Sequence, residues 1–297
     1  MSEHDDGTDP RAAFDSLLAE QRPKLHRYCA RMTGSVIDGE DAVQEALVKA
    51  IEAYPGFAAV ENPTAWLFRI AHNATLDLLR RRARREGRQA EGELDMIADP
   101  VATVEDRQNA AVSLRTFMRL PVVQRSSVIL MDVLGYSLDE IADVTDTTLP
   151  SIKAALHRGR TRLRELAQEP EDRPVPVMSA DERSRLTRYI DRFNARDFDT
   201  LRNLLADEVK LDLVNRRRLE GRGPVSNYFT NYERATHWHF RPGVVEGRPA
   251  ILVHPPGDPT TFSYFVLLEW QQDSLVTIRD FLYAPYVMDG ADVVPLS

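Results

Sequence analysis

The sequence predicts a multidomain protein in which two all-α blocks precede one α+β block. Apolar residues recur at helical spacing over two stretches, about 14–86 and 111–166. After Ser179 the pattern changes to short alternating or continuous apolar runs bounded by Gly, Pro and Asp, as strands require. Two polar stretches without periodicity separate the three parts, and 297 residues are too many for one ordinary core.

The opening "MSEHDDGTDP" is acidic and has no apolar run. Residues 1–12 therefore read as a disordered tail, not as a signal or transit peptide. A helical domain is expected over residues 13–90. Phe14, Leu17, Leu18, Leu25 and Tyr28 form one helical stripe, and Val43, Leu47, Ile51 and Tyr54 a second. "TGSVIDGED" between them supplies turn and capping residues. "YPGFAAVENP" breaks the pattern, and a third helix opens at Pro63-Thr64 with Trp66, Leu67, Ile70 and Ala74 inward. It runs out into "RRRARREGR", which is too polar for core.

Residues 91–110 are acidic and aperiodic, and read as a linker. Helical spacing resumes over a second domain, 111–168, with breaks at Leu120-Pro121, Gly135 and Asp146–Pro150. Residues 169–178 are proline-rich and form a second linker. The third domain, 179–297, opens with one or two helices carrying Leu186, Tyr189, Ile190, Phe193, Phe198, Leu201 and Leu205. The runs "VKLDLV", "HWHF", "AILVH", "FSYFVLLEW" and "LVTIRDFLY" then predict a curved antiparallel sheet.

Composition narrows the function. The formal charge of −8 means that any binding to nucleic acid must use local patches. The single cysteine, Cys29, excludes an intrachain disulfide and a multi-thiolate metal site, and fits a reducing cytoplasm. No run approaches the roughly 18 apolar residues of a membrane span. No Gly-rich phosphate loop, nucleophile elbow or metal motif occurs, so neither cofactor nor metal is expected.

One patch reverses the overall sign. "IKAALHRGRTRLRE" carries Lys153, Arg158, Arg160, Arg162 and Arg164 before its first acid, Glu165. Upstream, Ser137 can cap the short helix "LDEIADV", "TDTT" makes a turn, and Thr148 precedes Pro150 in the next first turn. Two short helices joined by a tight turn, the second basic, describe a helix-turn-helix. Ser151, Lys153 and Ala154 would meet base edges, while Arg158 and Arg160 reach phosphates. An amphipathic helix with a solvated basic face gives the same pattern. The lack of interspersed acids favours DNA, because i,i+4 pairing would have supplied them.

Two collinear stretches resemble one family. "DGEDAVQEALVKAIEAYPGF" with "NPTAWLFRIAHNATLDLLRRRARR" is similar to region 2 of the extracytoplasmic-function (ECF) sigma factors of bacterial RNA polymerase. "LPVVQRSSVILMDVLGYSLDEIADVTDTTLPSIKAALHRGRTRLREL" resembles their region 4. The resemblance implies a region 2 helical bundle that reads the −10 promoter element and a region 4 helix-turn-helix that reads the −35 element. It implies core RNA polymerase as partner, through the clamp helices of the largest subunit and the flap of the second-largest, together with promoter DNA.

Asp41, Gln44, Glu45 and Leu47 match the family's polymerase-docking motif. Phe57 and Asn62 match the loop that captures an unstacked base, and Arg69, Asn73, Arg80, Arg81 and Arg84 lie where the −10 DNA would run. Thr148, Ser151, Lys153, Ala154, His157, Arg158 and Arg160 are the −35 candidates. Glu91, Glu93, Asp95, Asp99, Glu105 and Asp106 would thread a basic channel in place of nucleic acid, or form a solvated tether. Three positions depart from the family: Asp146 replaces the turn glycine, Ala155 a common arginine, and Gly159 a usual alanine.

Residues 179–297 resemble the SnoaL-like cone, an α+β fold with a pocket. "RYIDRFNARDFDTLRNLLADEVKLDLV" is similar to its opening, and "VTIRDFLYAPYV" to its last strand. Asp212, His237, His239, Tyr264 and Asp280 are the candidate pocket residues, for a small-molecule ligand or a docking role that modulates the sigma domains in cis. Enzymatic turnover in that pocket is the competing reading, and a helix-turn-helix repressor that needs no polymerase is a third.

Overall fold

The computed structural model describes residues 9–85, 113–169, 178–234, 238–255, 257–258 and 261–296. The acidic 91–110 segment, most of the 1–12 tail and the 169–178 linker core lie outside them. The chain forms two compact units that divide between Glu171 and Asp172.

The first unit is helical. α1 (Pro10–Thr33) begins inside the expected tail, because Asp9 accepts the Arg11 N–H at 3.1 Å and Pro10 fits a first turn. Ser35 caps α2 (Val36–Glu52) by accepting the Asp38 N–H at 3.1 Å. A 3-10 turn over Tyr54–Ala59 leads to α3 (Pro63–Arg85), where the Asn62 side chain accepts the Ala65 N–H at 3.0 Å. α4 (Leu114–Phe117) and α5 (Val122–Val128) follow, and α5 continues into a π turn, Ile129–Val133.

The helix-turn-helix is α6 (Leu138–Thr145) and α7 (Leu149–Ala167). Ser137 and Glu140 form a reciprocal capping box at the start of α6. Asp146 ends it in the left-handed conformation, φ 52°, which Asp tolerates better than most residues. Thr148 stands at the N-cap of α7, and its hydroxyl donates to Ser151 Oγ at 3.0 Å. Gly159 also finds its reason here. A Cβ at that position would meet Val128 Cγ2 at 2.8 Å and the Gln124 carbonyl at 3.3 Å, so α7 lies against α5 only because the side chain is absent.

The two helical blocks share one core. α3 packs on α6, and α1 packs on α4 and α5. The Phe68 ring lies 5.0 Å from that of Tyr136. Buried Arg125 on α5 donates to the carbonyls of Met32 at 2.6 Å and Leu120 at 2.9 Å, stapling the end of α1 to the second block. A sequence read as two tethered domains gives no sign of this packing, since every such contact crosses the linker.

The second unit is α+β. α8 (Ala180–Asn194) carries a Ser179–Glu182 capping box, and Asp197 caps α9 (Phe198–Asn203). The strands are β1 (Leu205–Leu213), β2 (Arg217–Glu220), β3 (His239–Val245), β4 (Arg248–His254), β5 (Tyr264–Gln271), β6 (Ser274–Asp280) and β7 (Val293–Pro295). α10 (Arg222–Arg234) intervenes between β2 and β3. The sheet order is β2-β1-β6-β5-β4-β3-β7. It is mixed, not antiparallel throughout, because β6 returns beside β1 in the same direction. The helices cover one face: Phe193 of α8 lies 4.3 Å from Phe240 of β3, 5.0 Å from Tyr232 of α10 and 5.3 Å from Phe198 of α9. Burying such a ring contributes about 1.5–3 kcal/mol.

Candidate nucleic-acid interface

α2 turns Val43, Ala46, Leu47 and Ala50 inward. Leu47 is only 9% exposed and belongs to the core, so it leaves the docking set. Its neighbour on the outer face is Val48, 55% exposed, followed by Ile51 at 46%, which the apolar pattern had placed inside. Asp41 is exposed, and Gln44 and Glu45 are half-buried. Glu40 is buried and ion-paired to Arg22, so the adjacent acids Glu40 and Asp41 serve opposite sides of the helix. The outer face thus presents Asp41, Gln44 and Glu45 with two apolar residues that spacing alone did not single out. Glu45 pairs with Lys49 at 2.9 Å and Arg81 at 2.5 Å. Burial raises its pKa, but the Arg81 and Lys49 hydrogen bonds outweigh that and hold the carboxyl below its ordinary range.

α3 carries Arg69, Asn73, Arg80 and Arg84 along one exposed stripe, at intervals of four, seven and four. Arg80 pairs with Asp77 at 3.1 Å. Arg81 falls off this stripe toward α2, and Arg82 joins it there by pairing with Asp38 at 2.9 Å. Arg69 Nε donates to the Asp143 carbonyl of α6 at 2.6 Å. Phe57 is half-buried among rings, 4.8 Å from Phe14, 5.6 Å from Trp66 and stacked on Tyr54. Trp66 completes this cluster at the edge of the core. Asn62 is exposed, with its Oδ1 engaged as the cap of α3.

On α7, Lys153, His157 and Arg164 are exposed, and Ser151, Ala154 and Arg158 flank them half-buried. Ala155 is buried, so the position of the missing family arginine points into the core. Arg160 is a further correction. Its side chain is 14% exposed and grips the 1%-exposed Asp132 carboxylate through two hydrogen bonds, Nε at 3.0 Å and Nη2 at 2.5 Å. It anchors α7 to the π turn instead of reaching phosphates.

Residues 17–85 match the family model for Sigma-70 region 2, and residues 114–163 match Sigma-70, region 4. The ECF RNA polymerase sigma factor SigM of Mycobacterium tuberculosis is 34% identical over 156 residues, covering 52% of this chain and 78% of SigM. The chain belongs to the ECF sigma factor family. SigG of Mycobacterium tuberculosis is 33% identical over 224 residues, 67% of this chain, and the match spans 60% of SigG's length. Among solved structures, the sigma factor SigJ of Mycobacterium tuberculosis matches 93% of this chain and 98% of its own at 18% identity and a TM-score of 0.35.

The second unit of this sigma factor separates the five candidate pocket residues. Cross-strand partners share a face and successive residues alternate. Phe240 pairs with Val253, Val253 with Tyr264, and Val266 with Asp280, which places Tyr264 and Asp280 on the helix-covered face. His239 pairs with His254 and Asp212 with Arg279, on the opposite face. His239 is exposed, and Asp212 pairs with Arg218 at 3.3 Å and Arg279 at 3.5 Å. His237 lies outside the described residues.

Two α10 tyrosines, which the sequence reading missed, complete the cluster instead. Asp280 Oδ2 accepts from Tyr228 at 2.8 Å and Tyr232 at 3.0 Å, and Oδ1 accepts the Leu282 N–H at 2.8 Å. The Tyr264 hydroxyl is 3.4 Å from that of Tyr232. Burial pushes the Asp280 carboxyl above its ordinary range, against the opposing pull of its three donors. The i,i+4 spacing of Tyr228 and Tyr232 was a usable signal, but only the fold tells which carboxylate they face. Among the described residues no three His, Cys, Asp or Glu side chains are grouped to hold a metal ion, and no helix is long and apolar enough to cross a membrane.

Proposed function

We propose that this chain is an alternative sigma factor that acts in the cytoplasm, binds core RNA polymerase and directs promoter-specific initiation without catalysis of its own. The observation that carries the reading is segregation of charge within one helical unit. α2 offers an acidic face, Asp41 and Glu45, edged by exposed Val48 and Ile51. α3 and α7 offer basic stripes in a chain of net charge −8. An acidic and apolar face suits a basic protein partner such as the polymerase clamp helices, and basic stripes suit phosphates. Region 4 would meet the flap of the second-largest subunit.

Asn73, Arg80 and Arg84 are the −10 contacts we favour, with Arg69 once its bond to α6 is given up. Phe57 and Asn62 have structural duties that base capture would have to share. Lys153, His157 and Arg158 are the favoured −35 contacts, with Thr148, Ser151 and Ala154 at the groove-entering end. The second unit modulates initiation in cis, and its Tyr264–Asp280 cluster is where a small-molecule ligand would find hydrogen-bonding groups. Asp41→Ala with Glu45→Ala should abolish capture of core polymerase while duplex binding persists. Undiminished capture would overturn the docking assignment. Removing residues 179–297 should alter transcription from a cognate promoter, and unchanged output would refute modulation in cis.

A further inference from the structure

The β1–β2 hairpin of the second unit carries another reversal of sign, which none of the promoter contacts uses. Lys210, Arg216, Arg217, Arg218 and Arg222 stand there against Asp212 and Glu220. Five cations against two acids leave a net of +3 over residues 210–222, in a chain whose total is −8. β2 is the edge of the sheet and pairs only with β1, and residues 215–218 at the tip are all exposed.

Three of these cations are committed. Arg218 pairs with Asp212 at 3.3 Å, Arg222 with Asp207 at 3.4 Å and Lys210 with Glu220 at 4.0 Å. Arg216 and Arg217 are not, since neither guanidinium hydrogen-bonds or ion-pairs with a described residue. Arg216 lies instead over the ring of Tyr283, 4.7 Å from its centroid. The turn puts Asn215 in the left-handed region, φ 65°, which Asn tolerates, and its Nδ2 donates to the Tyr283 carbonyl at 3.1 Å. Tyr283 is 39% exposed, whereas every other Phe, Tyr or Trp side chain of the described residues is buried or half-buried.

Charge on an edge strand also serves to block pairing with a foreign sheet. Either sign of charge would do that. It explains neither an exposed ring held beside the cations nor the use of arginine at all three tip positions, whose planar fork suits phosphate. Free cations beside an exposed aromatic ring are the elements of a site for unpaired nucleotides, whose bases are open to stacking.

We propose that Arg216, Arg217 and Tyr283 form a binding site for single-stranded nucleic acid. The two arginines meet phosphates, and one base stacks on the part of the Tyr283 ring that Arg216 leaves uncovered. The site needs no polymerase, so the inference goes beyond the sigma-factor reading and does not fall with it.

A short single-stranded thymidine oligonucleotide carrying one 5-iodouracil is the probe. On irradiation with the full chain it should leave an adduct on Tyr283, located by peptide mass spectrometry. Absence of that adduct overturns the site, whatever else is labelled, and the result depends on no variant's folding. Fluorescence anisotropy with the same strand across a salt series reads the cations. Arg216→Gln with Arg217→Gln should lower the slope of log affinity against log salt by about 1.4, two contacts at about 0.7 each on a single strand. Tyr283→Ala should weaken binding by about 5- to 150-fold, the worth of one stacked base, and Tyr283→Phe should restore it. Unchanged slope and affinity would leave the arginines as guards of the edge and overturn the proposal. Annealing the strand to its complement should abolish the dependence on Tyr283, and equal dependence in the duplex contradicts stacking. A uridine strand run beside the thymidine one separates RNA from DNA as the source, and dependence on Tyr283 in neither overturns the assignment.

Discussion

Lys153 and Arg160 are both cations of α7, and the structure gives them different work. Arg160 is nearly enclosed and bonds the Asp132 carboxylate twice, whereas Lys153 is exposed. Arg160→Met keeps most of the aliphatic stem but leaves the Asp132 carboxylate enclosed without its cation. Breaking a buried pair from one side costs about 3–5 kcal/mol, a large share of the roughly 5–15 kcal/mol that holds a domain folded. Adding Asp132→Asn should recover much of that loss, since no uncompensated charge then remains. Lys153→Ala should change stability by no more than about 0.5 kcal/mol, as surface substitutions usually do. Its effect should appear in binding, where each phosphate contact contributes about 0.9 to the slope of log affinity against log salt. Urea melts and fluorescence anisotropy with a duplex across a salt series separate the two. An Arg160→Met protein of native stability and reduced salt slope would refute this division of labour.

Other substitutions test the packing and the buried cluster. Gly159→Ala gains about 1 kcal/mol of helix propensity, but its methyl would overlap Val128 at 2.8 Å, and overpacking costs about 1–3 kcal/mol. A urea midpoint below wild type is expected, and a higher one would contradict the tight α5–α7 approach. Asp280 has its folded pKa raised above the ordinary 3.8 by burial. Its contribution to stability is therefore complete below that value and is lost as pH rises through the raised one. Asp280→Asn can still accept from the Leu282 N–H and turn its amide toward the tyrosine hydroxyls. Thermal melts from acid to neutral pH should show the variant gaining on wild type as pH rises. Parallel pH profiles would remove the strain assigned to this carboxylate.

What the sequence disclosed follows the range of the interactions involved. The capping box at Ser137, the left-handed turn at Asp146 and the stripes of α2 and α3 are set by residues within a turn or two, so spacing reveals them. Spacing gives helical phase less sharply. Leu47 and Val48 differ by one position, yet one lies in the core and the other is exposed. Arg160 looked like a phosphate contact because its partner, Asp132, lies 28 residues away in the π turn. The split of the C-terminal candidates has the same origin. Alternation says that His237 and His239 share a face, but cross-strand register decides that Asp280 is on the other. The common core of the helical blocks depends on contacts such as Arg125 with Met32, 93 residues apart, which no local pattern encodes.

Transcription by purified core polymerase on a library of randomised promoters addresses the central claim most directly. The full chain should raise initiation at templates that share two motifs at fixed separation, and Asp41→Ala with Glu45→Ala should remove that selection. Transcripts whose start sites are the same with and without the protein would contradict the account.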